Sequence, residues 1–278
     1  MLEIFQSGIM QRAFITGILI AVITPCIGVI VVLKRLSMIG DSLSHNSLAG
    51  VAAGFAAGIN PTVGAVLFSI AAAFSIEKVR KSFPRYSEIA IAVIMSTGVG
   101  LAGILSSFAK NSANFNSYLF GSIVAISDFE LVLIIGLSAA VLLTVFLLFK
   151  ELFYITFDEE SARLAGVPVK AVNFIFTLLT AITVSISART VGTLVISSLM
   201  VLPVASAMQI ARSYKQTVAY SIGFAVVSTI TGLFISYYAD LRPGGTIVLV
   251  GVVALVCTLV YKNVLKKALF HKAVRANL

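Results

Sequence analysis

The chain has 278 residues, of which 59% are apolar and only 11% are charged. Soluble globular domains carry about 25% charged residues, so this composition excludes an ordinary water-soluble enzyme. The mean hydropathy is +1.06, and a charge at the centre of a bilayer costs about 2.5–3.5 kcal/mol. We therefore predict an all-α, polytopic membrane protein, folded as a single transmembrane domain over residues 1–278.

Apolar runs of about 20 residues recur along the chain, and each is long enough to cross the hydrocarbon core as a helix. Some of these runs are short, so the predicted count is eight to ten spans. Segment 111–129 is polar at its start and apolar at its end, which fits either a loop or a half-helix that dips back into the protein. The predicted spans are residues 13–33, 42–59, 61–79, 89–109, 131–149, 171–188, 190–211, 216–239 and 244–261.

The net charge of +9 comes from cations that cluster in the short loops between the apolar runs. If the C-terminus is placed inside the cell, sixteen of the twenty Lys and Arg residues fall on the cytoplasmic side. Because positive residues accumulate in cytoplasmic loops, this bias predicts a cytoplasmic C-terminus and a cytoplasmic loop 150–170. The basic tail 262–275 is expected to contact anionic membrane lipid, and no nucleic-acid partner is predicted.

Asp41 and His45 form an ionisable pair at the start of the second predicted span. Four residues apart on a helix, they share one face within about 6 Å and can bind one divalent ion together. Oxygen and nitrogen donors suit zinc, and also manganese or iron. A structural alternative stays open, in which Asp41 favours the positive end of the helix dipole and His45 is hydrogen-bonded to it.

Two donors do not fill a zinc shell, which normally has four ligands. A symmetric dimer would bring two copies of each side chain to one axis, so a second copy of the chain is a predicted partner. The depth of the pair is left open by the sequence. Either the second helix is short and sunk within the protein, or the pair lies low in the path, towards the cytoplasm.

The cytoplasmic segment 157–168 has the pattern of a short helix with a defined start and end. Asp158 can cap its start, Gly166 can end it, and Pro168 prevents its continuation. Such a rigid protrusion suits the docking of a soluble partner, although an ordered loop is the plainer alternative. The candidate docking residues are Phe157, Asp158, Glu159, Glu160, Ala162, Arg163, Gly166 and Pro168.

Several residues within the spans predict local helix geometry. Pro25 and Pro203 are expected to kink their helices and are candidate gate positions. Glycines recur every fourth residue from Gly50 to Gly58, which predicts close packing between helices. Arg189, at the end of the sixth predicted span, is expected to extend towards the lipid head groups.

The sequence contains no Gly-Lys dipeptide, so it has no phosphate-binding loop of the Gly-x-x-x-x-Gly-Lys type with which to hydrolyse ATP. It also lacks the Gly-x-Ser-x-Gly and His-Glu-x-x-His patterns of common hydrolases. We therefore predict that the chain is not an enzyme of these classes, and we expect no permanently bound cofactor.

Ordered motifs along residues 9–262 resemble the membrane permeases of zinc and manganese ATP-binding-cassette importers. Each motif alone is weak, but the ordered set is specific. The motifs are LKRLS at 33–37 followed by GDSLSH at 40–45, YLFGSI at 118–123, FDE at 157–159 with GVP at 166–168, LMVLP at 199–203, and SYY at 236–238 before TIVL at 246–249.

The resemblance implies a homodimeric permease of the vitamin-B12-importer-like type in the bacterial plasma (inner) membrane. It also implies cytoplasmic ATPase subunits, an extracellular or periplasmic metal-binding protein that delivers the ion, a metal path lined by Asp41 and His45, and a coupling helix at 157–168. The motifs look closer to those of zinc permeases, so zinc is the expected cargo. Manganese or iron is the alternative, because manganese permeases share Asp41 and His45.

A secondary metal transporter driven by an ion gradient, with Asp41 as its proton carrier, is the alternative from another class. Transport by the isolated chain in liposomes without an ATPase would favour it. An intramembrane enzyme is a further alternative, but no positioned acid or base is evident beside Asp41 and His45.

Overall fold

The structure is a computed structural model that describes residues 8–83, 87–108, 118–119, 121, 127–193 and 195–276. Most of segment 111–129, predicted as a loop or a half-helix, therefore lies outside the described residues. The helices, numbered in chain order, are α1 (Gly8–Leu33), α2 (Ile39–Ala57), α3 (Pro61–Ser82), α4 (Ser87–Ser106), α5 (Asp128–Leu147), α6 (Phe149–Phe157), α7 (Glu159–Leu164), α8 (Val169–Val191), α9 (Ile196–Ile210), α10 (Tyr214–Ala239) and α11 (Pro243–Ala276).

Seven helices in the described part of the chain are long and apolar enough to cross a membrane, namely α1, α3, α4, α5, α8, α10 and α11. The 19-residue α2 carries the polar run around Asp41, and α9 has only 15 residues. Both pack against several of the longer helices. The fold is therefore the all-α polytopic bundle that the apolar runs predict.

The seventh predicted span, 190–211, is shorter in the structure. The preceding helix α8 continues to Val191, and Gly192 then adopts a φ of 98°, which residues with a side chain rarely adopt. The next helix, α9, begins only at Ile196, whose side chain is completely buried. The glycine break thus shortens this span at its start.

Polar caps and a proline define the starts of two helices. Asn60 accepts a hydrogen bond from the Thr62 backbone N–H at the start of α3, where Pro61 occupies the first helical position. Ser127 and Glu130 form a reciprocal capping box at the start of α5. These caps satisfy backbone donors that a helix start would otherwise leave unpaired.

The hairpin of α2 and α3 brings two backbones into direct contact. A Cβ added at Gly50 would lie 2.2 Å from the Gly64 carbonyl oxygen, and one added at Gly64 would lie 2.3 Å from the Gly50 carbonyl oxygen. A Cβ at Gly54 would lie 2.8 Å from the Pro61 Cα. This confirms the close packing predicted from the glycine spacing, although Gly58, with a φ of 71°, ends α2 instead.

A buried ion pair joins α5 to α8. Arg189 donates from Nε to Glu130 Oε1 at 2.8 Å and from Nη2 to Glu130 Oε2 at 3.1 Å. Thr62 donates to the same carboxylate at 2.8 Å, and the guanidinium carbon lies 4.6 Å from the centroid of the Tyr118 ring. The expectation that Arg189 extends to the head groups is therefore wrong, because an opposite charge inside the bundle compensates its burial.

Pro25 and Pro203 lie inside α1 and α9, and both are buried. Each removes one backbone donor from its helix. A Cβ added at Gly28 would lie 2.4 Å from the Met200 carbonyl oxygen, so the two proline-bearing segments cross in contact. Their role as kinked gates stays a prediction.

Candidate metal path and coupling surface

The candidate metal pair, Asp41 and His45, lies in the first two turns of α2, one turn apart on the same face. Both side chains are partly buried, whereas residues 42–44 and Asn46 between and beside them are buried. In the part of the chain that the structure describes, neither the Asp41 carboxylate nor the His45 imidazole has a hydrogen-bond or ion-pair partner. The hydrogen bond between them, which the structural alternative requires, is not formed.

A tight turn over residues 34–38 connects α1 to α2 and folds back on α1. The Leu36 N–H donates to the Val31 carbonyl at 2.8 Å, and the Ile39 N–H donates to the Leu36 carbonyl at 2.8 Å. Arg35 adopts a left-handed φ of 58°, and the Leu36 side chain is buried. These bonds hold the turn against the last turn of α1, and α2 begins directly after it.

Contacts with α9, which itself packs on α1, put the start of α2 inside the bundle. A Cβ added at Gly40 would lie 2.9 Å from Ser197 Oγ and 3.4 Å from Met200 Sδ, and the Met200 carbonyl also faces Gly28 of α1. Gly28 precedes the last residue of α1 by five positions, which corresponds to about 7–8 Å along the axis. The start of α2 therefore packs on α9 near the level at which α9 contacts α1, inward of the end of α1.

Hydrogen bonds to α4 fix the rotation of α2 about its axis. Ser42 Oγ donates to the Ile91 carbonyl at 3.2 Å, and Asn46 Nδ2 donates to the Ile94 carbonyl at 3.0 Å. Gly98 permits this approach, because a Cβ there would lie 2.7 Å from the Asn46 Cγ. Each of these two donors follows a member of the metal pair in sequence, so the orientation of the pair is set by α4.

One chain supplies two metal donors at this place. Among the residues that the structure describes, no group of three or more His, Cys, Asp and Glu side chains could hold a metal ion. A carboxylate and an imidazole suit a borderline dication such as zinc(II) or manganese(II). They fill only half of a four-coordinate shell, so further donors must come from elsewhere.

The predicted coupling segment forms the short capped helix α7. Asp158 Oδ1 accepts hydrogen bonds from the backbone N–H groups of Glu160 and Ser161 at 2.9 and 3.2 Å. The side-chain hydrogen bond from Ser161, together with these backbone bonds, lowers the pKa of Asp158 from its ordinary value. Gly166 follows the helix with a φ of 85°, and Pro168 precedes α8, so the predicted start and end are confirmed.

The outer face of α7 is exposed and partly apolar. On α7, Leu164 is 86% exposed and Arg163 is also exposed, whereas Ala162 is buried; Phe157, the last residue of α6, is exposed beside them. Beside α7 runs a groove of about 430 Å³ between α6 and the start of α10. Its lining residues are Phe149, Lys150, Phe153, Tyr154, Ser213, Tyr214 and Lys215. We call the exposed side of α7 and this groove the docking surface.

Glu159 differs from the other candidate docking residues because its carboxylate pairs with a side chain far away in the sequence. Lys34 Nζ donates to Glu159 Oε1 at 2.7 Å, and Asn173 Nδ2 donates to the same oxygen at 3.1 Å. Burial alone would raise the pKa of Glu159, but the hydrogen bond and charge of Lys34 outweigh it and lower the pKa from its ordinary value. Glu159 is therefore ionised and internally paired.

Sequence reasoning missed Lys34 and Asn173 as partners of Glu159. It also missed Ser197 and Met200 as neighbours of the start of α2. The sequence offers one weak signal for Lys34, since it stands in the LKRLS motif directly before the metal pair. Met200 likewise stands in the LMVLP motif, whereas for Asn173 and Ser197 the chain shows no local pattern that points to the site.

Two features of this structure are typical of the membrane subunit of a transporter. They are side chains able to bind a cation inside a membrane bundle, and a short capped helix that protrudes at the edge of the bundle. The family model described as the ABC 3 transport family matches residues 6–262, and the chain belongs to this family. It is thus a permease of metal ATP-binding-cassette importers, and ATP hydrolysis is the task of a separate chain.

Bacterial relatives align along most of their length. A probable metal transport system membrane protein of Treponema pallidum is 36% identical over 93% of this chain and 97% of its own. The manganese import system permease protein ScaB of Streptococcus parasanguinis is 33% identical over 89% of each chain. The high-affinity zinc uptake system membrane protein ZnuB of Haemophilus influenzae is 31% identical over 87% of this chain and 93% of its own. A multi-pass protein of the bacterial plasma membrane is consistent with these relatives.

Solved structures share the fold. PsaBC from Streptococcus pneumoniae, in complex with Fab, matches with a TM-score of 0.83 and 30% identity over 92% of this chain and 94% of that chain. An inward-facing metal-chelate-type ABC transporter matches with a TM-score of 0.72 at 14% identity, which shows the fold alone. The predicted architecture of an importer permease is therefore confirmed.

Proposed function

We propose that this permease moves a first-row divalent metal ion into the cytoplasm along a path on which Asp41 and His45 are ligands. The observation that carries the proposal is the partly buried pair on one face at the start of α2, which has no hydrogen-bond or ion-pair partner among the described residues. A carboxylate replaces part of the hydration that the ion loses, and an imidazole favours borderline metals over magnesium or calcium. Ionisable groups inside a membrane bundle are costly, and such groups usually mark ion pathways.

Zinc is the cargo that we propose first, and manganese is the second candidate. An oxygen and nitrogen donor set suits zinc, whereas the manganese import permease ScaB is among the relatives with the higher identities. The deciding experiment measures the accumulation of both metals in cells from which the gene is deleted and then restored. Loss of zinc uptake alone supports zinc, and loss of manganese uptake alone overturns that choice.

The working unit that we propose is a homodimer. Two donors from each of two chains complete a four-ligand shell on the twofold axis. The test is the stoichiometry of zinc(II) bound to the purified permease, measured by calorimetry. One ion for every two chains supports the shared site, whereas one ion for each chain would remove it.

The partners that we propose are cytoplasmic ATPase subunits, bound to the docking surface, and an external metal-binding protein that delivers the ion. Exposed Leu164 supplies apolar contact area on α7, which is capped and therefore rigid, and exposed Phe157 adds to it from the adjoining end of α6. The excess of Lys and Arg in the loops on this side, and in the tail, supports a cytoplasmic location for α7 and the C-terminus. ATP binding would then displace α7, and alternating access at the metal pair would follow.

A further inference from the structure

Three side chains from three parts of the chain form a closed hydrogen-bonded triangle, which we call the Lys34 cluster (Lys34, Glu159 and Asn173). Lys34 Nζ donates to Glu159 Oε1 at 2.7 Å and to Asn173 Oδ1 at 3.0 Å. Asn173 Nδ2 closes the triangle by donating to Glu159 Oε1 at 3.1 Å. The cluster joins the turn before α2, the first residue of α7 and the start of α8.

Burial makes the Lys34 cluster more than a surface ion pair. The Lys34 side chain is 9% exposed and the Glu159 side chain is 47% exposed, while Asn173 is buried. The Lys34 ammonium also lies 5.9 Å from the centroid of the Phe176 ring. A charge held by several partners and shielded from water keeps its geometry, whereas an exposed ion pair exchanges freely with solvent.

Lys34 is also connected to α2 through a short, hydrogen-bonded turn. It begins the 34–38 turn, in which the Leu36 N–H donates back to Val31 and the Ile39 N–H donates to Leu36. The α2 helix follows at once, and Asp41 lies in its first turn. Since the turn is hydrogen-bonded and Leu36 is buried, a displacement of Lys34 must displace the start of α2.

We propose that the Lys34 cluster transmits the movement of α7 to α2, with Lys34 and Glu159 as positioning residues for the metal pair. The proposal rests on the function proposed above, in which α7 receives the force of the ATPase. Glu159 then acts inside the permease, and the ATPase is contacted by the other exposed residues of α7. A displacement of α7 moves Glu159, and the hydrogen bond from Lys34 to Glu159 makes Lys34 move with it. Because Lys34 begins the 34–38 turn, the start of α2 moves too, together with Asp41 and His45.

The test uses the permease co-purified with its ATPase and reconstituted into proteoliposomes, with radiolabelled zinc(II) and manganese(II) as probes. The measured quantity is metal transported per ATP hydrolysed, for Lys34→Met, Glu159→Gln and the exchanged pair Lys34→Glu with Glu159→Lys. Couplings between sites typically amount to 5–150-fold, so we expect each single variant to lower the ratio about tenfold. The exchanged pair should recover a substantial part, and the exposed Lys170→Gln should behave as wild type.

Two results of this assay would overturn the proposal. An unchanged ratio in both single variants means that the cluster does not transmit movement. Loss of the ATPase from the Lys34→Met complex means that Lys34 supports docking instead. If the wild-type complex transports neither metal, the proposed cargo is wrong. The transmission of movement by the Lys34 cluster is then still tested, because a second measurement needs no cargo.

That measurement is the distance between spin labels at Met38, before α2, and Tyr220 on α10, with and without ATP. Both positions are exposed, and Cys26 and Cys257 are replaced beforehand. We expect an ATP-dependent change in distance in the wild-type background and none in Lys34→Met. An equal change in both backgrounds shows that the cluster is a static brace, and the proposal is then wrong.

Discussion

Asp41 and His45 differ from their neighbours on α2 because their side chains make no hydrogen bond to a described residue. Ser42 and Asn46, which follow them in sequence, both donate hydrogen bonds to backbone carbonyls of α4. The carboxylate and the imidazole make no such contact with any described residue. On one helix, therefore, two polar residues fix the position and two polar residues keep their donor atoms available for an ion.

At the residue scale, Asp41→Asn should lower metal uptake at least about tenfold, because the loss of a single well-placed group around a metal commonly costs 10–100-fold. The amide keeps the size of the side chain but loses its charge, so assembly with the ATPase should be retained. Uptake of radiolabelled zinc(II) and manganese(II) by whole cells checks this. Asp240→Asn is the matched control, since Asp240 is exposed at the end of α10 and asparagine tolerates its φ of 52°. Normal uptake by the Asp41 variant would remove this residue from the path.

At the element scale, the α2–α3 hairpin depends on the glycine contact. Gly50→Ala should destabilise the protein by about 1–3 kcal/mol, because the new Cβ overlaps the Gly64 carbonyl oxygen and the backbones must separate. Thermal unfolding in detergent micelles measures the effect. Gly223→Ala is the control, since a Cβ there has no described atom within 4 Å. Equal unfolding temperatures for the two variants would contradict the close contact.

The docking surface is the second feature at this scale. Leu164→Asp should weaken binding of the ATPase at least about tenfold, because it puts a charge where a central apolar contact is expected. Folding should be unaffected, since Leu164 is 86% exposed. Co-purification of the ATPase and thermal unfolding together check both statements. Leu241→Asp, at an exposed site beyond the far end of α10, is the control and should bind normally. Equal binding by both variants would exclude Leu164 from the interface.

Elements of this fold that depend on residues close together in sequence could be predicted. Asp158 and Gly166 define the start and end of α7 within nine positions, and the glycine spacing in α2 predicts its close contact with α3. Partners far apart in sequence could not be predicted in this way. Glu159 lies 125 positions from Lys34, and Glu130 lies 59 positions from Arg189. Apolar periodicity carries no information about such pairs.

The depth of the metal pair is an intermediate case. The run from Lys34 to Asp41 shows that a turn precedes α2, but the reversal of direction depends on the left-handed φ at Arg35 and on burial of Leu36. Only the contact of Gly40 with Ser197 and Met200 fixes the level at which α2 begins. The sequence therefore predicts the helix and its ligands, while tertiary packing determines how far inside they lie.

At the scale of the whole molecule, the ion pair of Glu130 and Arg189 connects helices that the loops alone would not hold together. Arg189→Met should destabilise the protein by about 3–5 kcal/mol, because it leaves the Glu130 charge buried without its partner. The double variant with Glu130→Gln should lose less than the sum of the single losses. Unfolding in detergent measures these energies, and Asp128→Asn, which removes an exposed charge on the same helix, should stay within about 1 kcal/mol of wild type. Additive losses would mean that the two residues act independently.

Two helix starts meet beside Asp41. Neither the start of α2 nor that of α9 has a side-chain cap, and the Gly40–Ser197 contact brings them together. Each start carries a partial positive charge of roughly half an elementary charge. On the proposed path, a dication would therefore meet an aspartate whose negative potential is partly cancelled from two directions. We expect such a site to bind the ion weakly and to release it quickly, as transport requires and storage does not.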